Sequence, residues 1–278
     1  MSIFAYQLLQ GLGFSEQRLL ALLPTLKIET LLPNQIFCRR GSPPQGWFHV
    51  VTGMVCGSIP NQGGRVTPMH IFGPGTWFGE VAILNRGLFL VDGVCLTPVR
   101  MLSMSTEQFE DAFNNEPEFS RRIARLVSWR IQQHAERLIV TRLGSPQLRV
   151  AMGLAMFAEA LHTSDSHRPA SEFDEGLKIP LKQSLLASLC GVSRGVFSDC
   201  VQQLSVAGWV SPNYATLELS RVAVWRKFSS QYRQNRLNIV KPSMPEILSL
   251  LEAASADAPA APLLIDRRAK DRRKSSNP

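Results

Sequence analysis

Apolar positions along the chain change their period several times, and each change marks a new kind of element. Through residues 5–30, Leu8, Leu9, Leu12, Leu19, Leu20, Leu22 and Leu23 fall at helical spacings and predict short helical segments. From about 31 to 106, short apolar runs such as FHVV, MVCGSI, TPMHIF and VRMLSM alternate with glycine, proline and asparagine. That rhythm predicts an antiparallel barrel or jelly roll rather than alternating strand–helix units. Residues 117–142 then hold no glycine, and no proline after Pro117, which predicts one long helix. Val127, Ile131, His134, Leu138 and Thr141 follow spacings of four and three along it. Such a seam suits pairing with a second copy of the helix, or packing of the stripe on the chain's own barrel.

Gly144–Pro146 ends that helix and another is expected over 147–162, followed by a polar, turn-rich segment, 162–176, read as a linker or exposed contact surface. Beyond about 240 the chain drifts into SADAPAAP and a basic tail, so 254–278 is expected to be largely disordered. The fold class is therefore α+β, in four regions. They are an N-terminal antiparallel β jelly-roll barrel with its leading helices (1–112), a long dimerisation helix (113–143), a C-terminal winged helix-turn-helix (144–235), and a largely disordered extension (236–278).

The third region carries the sharpest signal, IPLKQSLLASLCGVSRGVFSDCVQQLSVAGWV at 179–210. Pro180 suits a first helical turn, and Leu185, Leu186 and Leu189 give one helix an inward face. Gly191 permits a tight left-handed turn, and Ser193 is a good N-cap for a second helix. Phe197, Cys200, Val201 and Leu204 then form a buried stripe, which leaves Arg194, Gly195, Ser198, Asp199 and Gln202 on the opposite face. Trp209–Val210, a turn at Pro212–Asn213, and Thr216–Leu219 predict a hairpin wing. Arg194 can fork onto guanine O6 and N7, and Asp199 can accept from cytosine N4 or steer a neighbouring arginine, whereas Gly195 has no side chain with which to read. Lys182, Gln183 and Ser184 open the first helix, where they and the amide dipoles can hold a phosphate. Double-stranded DNA is the expected partner.

Composition adjusts this picture modestly. The chain has 278 residues, 45% of them hydrophobic, enough for sizeable cores. Its net charge of +8 favours a polyanionic partner, but the segment DRRAKDRRK at 266–274 supplies half of that charge. There is no apolar run of membrane-spanning length and no signal-peptide pattern, so the expected address is cytoplasmic, with no membrane partner. The five cysteines, Cys38, Cys56, Cys95, Cys190 and Cys200, show no metal-ligand spacing and read as reduced, mostly buried thiols. No nucleophile elbow, phosphate loop or paired-carboxylate pattern is present, so no catalytic residue, metal or enzymatic activity is expected.

Three segments together resemble the Crp/Fnr superfamily of bacterial transcription regulators across roughly residues 20–235. They are FGPGTWFGEVAIL (72–84), the long helix after EPEF, and CGVSRGVF (190–197). The resemblance implies an effector barrel, a homodimer held by the long helices, a pseudo-palindromic DNA site read by one helix per major-groove half-site, and contact with RNA polymerase. It also marks departures. Members that bind cyclic nucleotides follow the glycine–glutamate pair, here Gly79–Glu80, with an Arg-Ser about ten residues later, whose arginine holds the cyclic phosphate. This chain has Phe89, Leu90 and Val91 there, and His134–Ala135 where a Thr–Ser pair meets the base. A buried phosphate without its charge partner is costly, so no cyclic AMP cofactor is expected.

The altered pocket is expected either to be filled by its own side chains or to take an apolar or aromatic effector. Glu80 then serves to cap local amides. An N-terminal iron–sulfur cluster is excluded by the position of the first cysteine, Cys38, and His49, His70 and His134 read as structural rather than as haem ligands. His134 is also a candidate pH- or ligand-sensitive position. A rival reading makes the chain a sensor acting on a protein partner through a helix-turn-helix that no longer selects DNA, for which Gly195 and Asp199 are the pointers.

Overall fold

Two four-stranded antiparallel sheets enclose the N-terminal core of the computed structural model, which describes residues 2–60, 66–160, 176–213, 215–234 and 241–256. The strands are β1 (Lys27–Leu31), β2 (Ile36–Cys38), β3 (Gly46–Thr52), β4 (Val55–Pro60), β5 (Val66–Phe72), β6 (Trp77–Phe78), β7 (Asp92–Cys95) and β8 (Val99–Ser105). One sheet runs β1-β8-β3-β6 and the other β2-β7-β4-β5, the facing sheets of a jelly roll. The first strand begins at Lys27, so the helical reading of 27–30 is corrected. Leu31 turns inward from β1, and Lys27 pairs with Ser103 across to β8.

Helices α1 (Ser2–Gln10) and α2 (Glu16–Leu22) close one end of the barrel, burying Ala5, Leu9, Leu19 and Leu22 against Trp47, Trp77, Leu102 and Met104. Trp47 and Trp77 stack with ring centroids 3.8 Å apart, so this end is a solid aromatic floor. Between β6 and β7 lies the short helix α3 (Glu80–Leu84). Its N-cap, Gly79, has φ 107°, and a Cβ there would come within 2.9 Å of the Gly46 carbonyl, so this turn requires glycine.

The expected long helix is preceded by a shorter one, α4 (Thr106–Asn115), fixed by a reciprocal capping box between Ser105 and Gln108. The long helix α5 spans Pro117–Leu143 and passes through Gly144 into α6 (Pro146–Ala160). The C-terminal domain adds β9 (Leu177–Ile179), α7 (Gln183–Leu189), α8 (Arg194–Val206), β10 (Val210–Asn213), β11 (Thr216–Leu219), α9 (Val222–Gln234) and α10 (Met244–Ala256). Pro180 precedes α7 instead of entering its first turn, and Lys182 is the N-cap. The wing gains β9, giving the sheet order β10-β11-β9.

The C-terminal extension is the main correction. Residues 244–256 form a helix, not a disordered segment, because Met244, Ile247, Leu251 and Ala254 are buried in the core of the C-terminal domain. Ser243 caps it, its backbone N–H and its hydroxyl each 2.7 Å from the Glu246 carboxylate. Of the polar segment expected over 162–176, all but Gly176 lies outside the described residues, as does the tail 257–278.

Candidate functional site

Helices α7 and α8 meet at 103° across the turn at Gly191, whose φ is 67°. The Ser193 hydroxyl accepts from the Val196 N–H at 3.3 Å and so starts α8. Phe197, Cys200, Val201 and Leu204 are buried, which points Arg194, Gly195, Ser198, Asp199 and Gln202 at solvent. No atom lies within 4 Å of a Cβ built on Gly195, so the N-terminal face of α8 is open to a partner. Lys182, Ser184 and Ser193 are exposed and Gln183 is half-buried, all at the N-terminal ends of the two helices. Of the nine positions singled out in the sequence, eight are exposed and Gln183 is half-buried. Arg221, at φ 53°, closes the adjoining wing by placing its guanidinium 5.0 Å from the Trp209 ring centroid.

In the barrel, Glu80 is fully buried and already has partners. Trp47 Nε1 donates to Glu80 Oε2 at 3.2 Å, and Arg130 of α5 pairs with Glu80 Oε1 while also donating to the Trp77 carbonyl. The expectation that Glu80 caps local amides is therefore corrected: its oxygens go to an indole and a guanidinium. This ties the long helix to the barrel, and the desolvated carboxylate is compensated by charge and two donors.

The space between the sheets is occupied by phenylalanines. Phe78 lies 4.6 Å from Phe72, 5.5 Å from Phe48 and 5.5 Å from Phe37, centroid to centroid. Phe89 is buried, and its backbone is fixed by Gly41 N–H donating to its carbonyl at 2.8 Å and by its own N–H reaching the Ser42 carbonyl at 2.9 Å. Val91 packs over Gly57, where an added Cβ would be 3.1 Å from its methyl group, while Leu90 turns outward at 74% exposure. Of the three apolar replacements, Phe89 is buried, Val91 packs on the barrel wall at Gly57, and Leu90 does neither.

Along α5 the expected seam divides. Ile131 and Leu138 are exposed at 64% and 58%, but Val127 packs on the chain's own barrel-floor cluster. His134 lies 5.7 Å from His70 of β5, and Thr141 donates back to the Arg137 carbonyl at 2.7 Å. The outward apolar row contains Ile131, Leu138 and Ile139. Arg130, His134 and Arg137 share another face, on which the two arginines are half-buried and His134 is exposed. Arg130, Arg137 and Trp47 went unnoticed in the sequence, although spacings of four and three put both arginines on the face of His134.

Burial governs the titratable groups here. His49 is pushed down to about 4 and His70 to about 3, both chiefly by desolvation, with the Arg137 charge adding to the effect at His70. Desolvation also lowers His134, followed by the charges of Arg137 and Arg130. The five cysteines are free thiols, and burial raises each of them, Cys190 to about 12. None is set up as a reactive thiolate.

A family model described as cyclic nucleotide-binding domain matches residues 28–116. The chain is 29% identical over 118 residues to a cyclic nucleotide-gated potassium channel of Mesorhizobium japonicum, a match that spans 42% of this chain and only 31% of the channel. It is 23% identical over 186 residues to the Cyclic AMP receptor protein of Thermus thermophilus, covering 66% of this chain and 80% of that protein. A CRP/FNR-family transcriptional regulator, also of Thermus thermophilus, superposes with a TM-score of 0.55 at 16% identity, over 73% of this chain and 98% of the other. The chain has the fold of the Crp/Fnr superfamily. Within the Crp/Fnr fold the matched domain is the jelly roll, and α5 and the winged helix follow in the expected order. Among the described residues no single helix is long and apolar enough to cross a membrane.

Proposed function

We propose that this chain is a homodimeric, sequence-specific DNA-binding transcription regulator that reaches its DNA-binding form without cyclic AMP. The observation that carries the reading is the outward face of α8, where Arg194, Ser198, Asp199 and Gln202 are exposed on a helix anchored by four buried side chains. Such a helix fits a major groove, with its N-terminal residues at the base edges. Arg194 supplies the readout, Asp199 discriminates against phosphate and favours a cytosine amine, and Lys182, Gln183, Ser184 and Ser193 hold the backbone.

Independence from the nucleotide is supported by the Glu80–Arg130 pair. Glu80, from the glycine–glutamate pair that the resemblance places in the nucleotide pocket, here holds α5, and phenylalanines fill the space between the sheets. Homodimerisation is supported by the exposed apolar row on α5, and RNA polymerase is the further partner implied by the resemblance. The protein acts in the cytoplasm and has no catalytic role.

Selection of bound sequences from random DNA tests the proposal. It should return a two-fold symmetric site whose enrichment is unchanged by cyclic AMP. Arg194→Ala should lose the footprint on that site, at about 1–3 kcal/mol per half-site, while remaining dimeric. Salt-dependent binding with no preferred sequence would overturn the proposal in favour of a sensor acting through a protein partner.

A further inference from the structure

A cavity of about 80 Å³ lies where β5, α5, α6 and α7 meet, at the joint between the barrel and the helix-turn-helix. One wall is cationic. Arg137 is largely buried, and among the described residues its guanidinium donates only to the Leu189 carbonyl, from Nη2 at 2.9 Å. Arg149, on the rim, reaches backbone carbonyls, those of Gly144 and Gly191. Among the described residues no carboxylate pairs with either guanidinium. His70 also lines the cavity, and its Nδ1 is buried without a hydrogen-bond partner among those residues. The other walls are apolar, from Val140, Met152, Met156 and Phe157.

A guanidinium taken out of water without a counter-charge is costly, as is a buried ring nitrogen with no partner. One ligand chemistry relieves both. A carboxylate can accept from Arg137 through one oxygen and from the neutral His70 imidazole through the other, leaving an apolar body for the methionine and phenylalanine walls. The apolar walls, and the position of Arg149 at the rim with only Arg137 inside, favour a monoanion with an apolar body over a phosphate dianion. We propose that this cavity is a binding site for a small monocarboxylate with an apolar body, and that its occupant sets the position of the helix-turn-helix. The second half of the proposal rests on the DNA-binding reading above. The mechanical link is direct: Arg137 holds the carbonyl of Leu189, the last residue of α7, and Arg149 holds that of Gly191 in the turn. A carboxylate that draws Arg137 away alters the support of that turn, and by linkage changes DNA affinity by the factor by which DNA changes ligand affinity.

The test uses the full chain with benzoate as the probe, benzamide as its uncharged counterpart and inorganic phosphate as the competing anion. Calorimetry should show saturable benzoate binding, at least roughly tenfold tighter than benzamide. Arg137→Gln should abolish it. Met156→Trp, which narrows the cavity and keeps every charge, should weaken it without loss of fold. No saturable binding, retained binding in both variants, or displacement of benzoate by equimolar phosphate would each overturn the site. Affinity for the selected DNA should shift at least about threefold on saturation with benzoate. Benzoate binding with an unchanged DNA affinity would overturn the coupling alone. Benzoate binding by a chain that selects no DNA sequence would overturn the proposed function and leave the site standing.

Discussion

Glu80 shows how one side chain can keep its place in a motif and change its work. At zero exposure its two oxygens are answered by Arg130 and the Trp47 indole. Arg130→Ala should therefore cost about 3–5 kcal/mol, since it strands a carboxylate in the core. Adding Glu80→Gln to that chain should restore part of the loss, and equilibrium urea unfolding of the two single variants and the double variant measures the coupling. Strict additivity would show that the pair does not act as a unit.

His49 illustrates a different cost at the same scale: both its ring nitrogens are buried without partners among the described residues. Unfolded histidine takes a proton near its usual 6.5, whereas folded His49 resists protonation down to about 4 and His70 to about 3. The unfolded chain thus binds more protons throughout that window. Stability should be flat above pH 7 and fall as the pH drops below 6.5, by up to about 1.4 kcal/mol per pH unit for each histidine. His49→Phe should make that fall shallower, and an unchanged slope in urea titrations at several pH values would count against the assignment.

Among the elements, α10 is the one whose removal the core would feel most unexpectedly. Leu251 is fully buried among residues of α6, α8 and α9, so Leu251→Ala should destabilise the C-terminal domain by about 2–5 kcal/mol, read as an earlier denaturant midpoint. A loss below about 0.5 kcal/mol would mean that α10 is not part of the cooperative unit. This helix was hidden in the sequence by its surroundings, because low-complexity residues follow it directly, although Ser243 and Glu246 already spelled out a capping box. The jelly roll, the long helix and the helix-turn-helix were legible because each has a strong local period or a turn residue with one physical use, such as Gly191. The Arg130–Glu80 pair was not legible, since its partners are 50 residues apart and only the fold brings them together. The same holds for Arg233 of α9, which reaches Glu136 of α5 at 2.9 Å and Glu159 of α6 at 2.5 Å, joining the long helix to the C-terminal domain.

At the scale of the whole molecule, the proposed function makes the outward row on α5 the feature that sets how many α8 helices act together. Ile131, Leu138 and Ile139 leave apolar surface on the long helix that runs from the barrel to the winged-helix domain, and a two-fold pairing along it would cover that surface in both copies at once. The same operator would set two α8 helices facing one side of a duplex, each entering a half-site about one helical turn from the other, roughly 34 Å. Leu138→Asp separates the two contributions. Leu138 is 58% exposed in the single chain, so the fold should survive and circular dichroism should be unchanged. In an isologous interface the new carboxylate would approach its own copy, and like charges together with lost apolar contact should shift the protein to monomer in sedimentation at micromolar concentration. A monomer engages only one half-site, so affinity for the symmetric site should fall at least about a hundredfold, while weak, salt-dependent binding to any duplex persists. A folded variant that stays dimeric would place the subunit contact elsewhere and leave the apolar row to another partner.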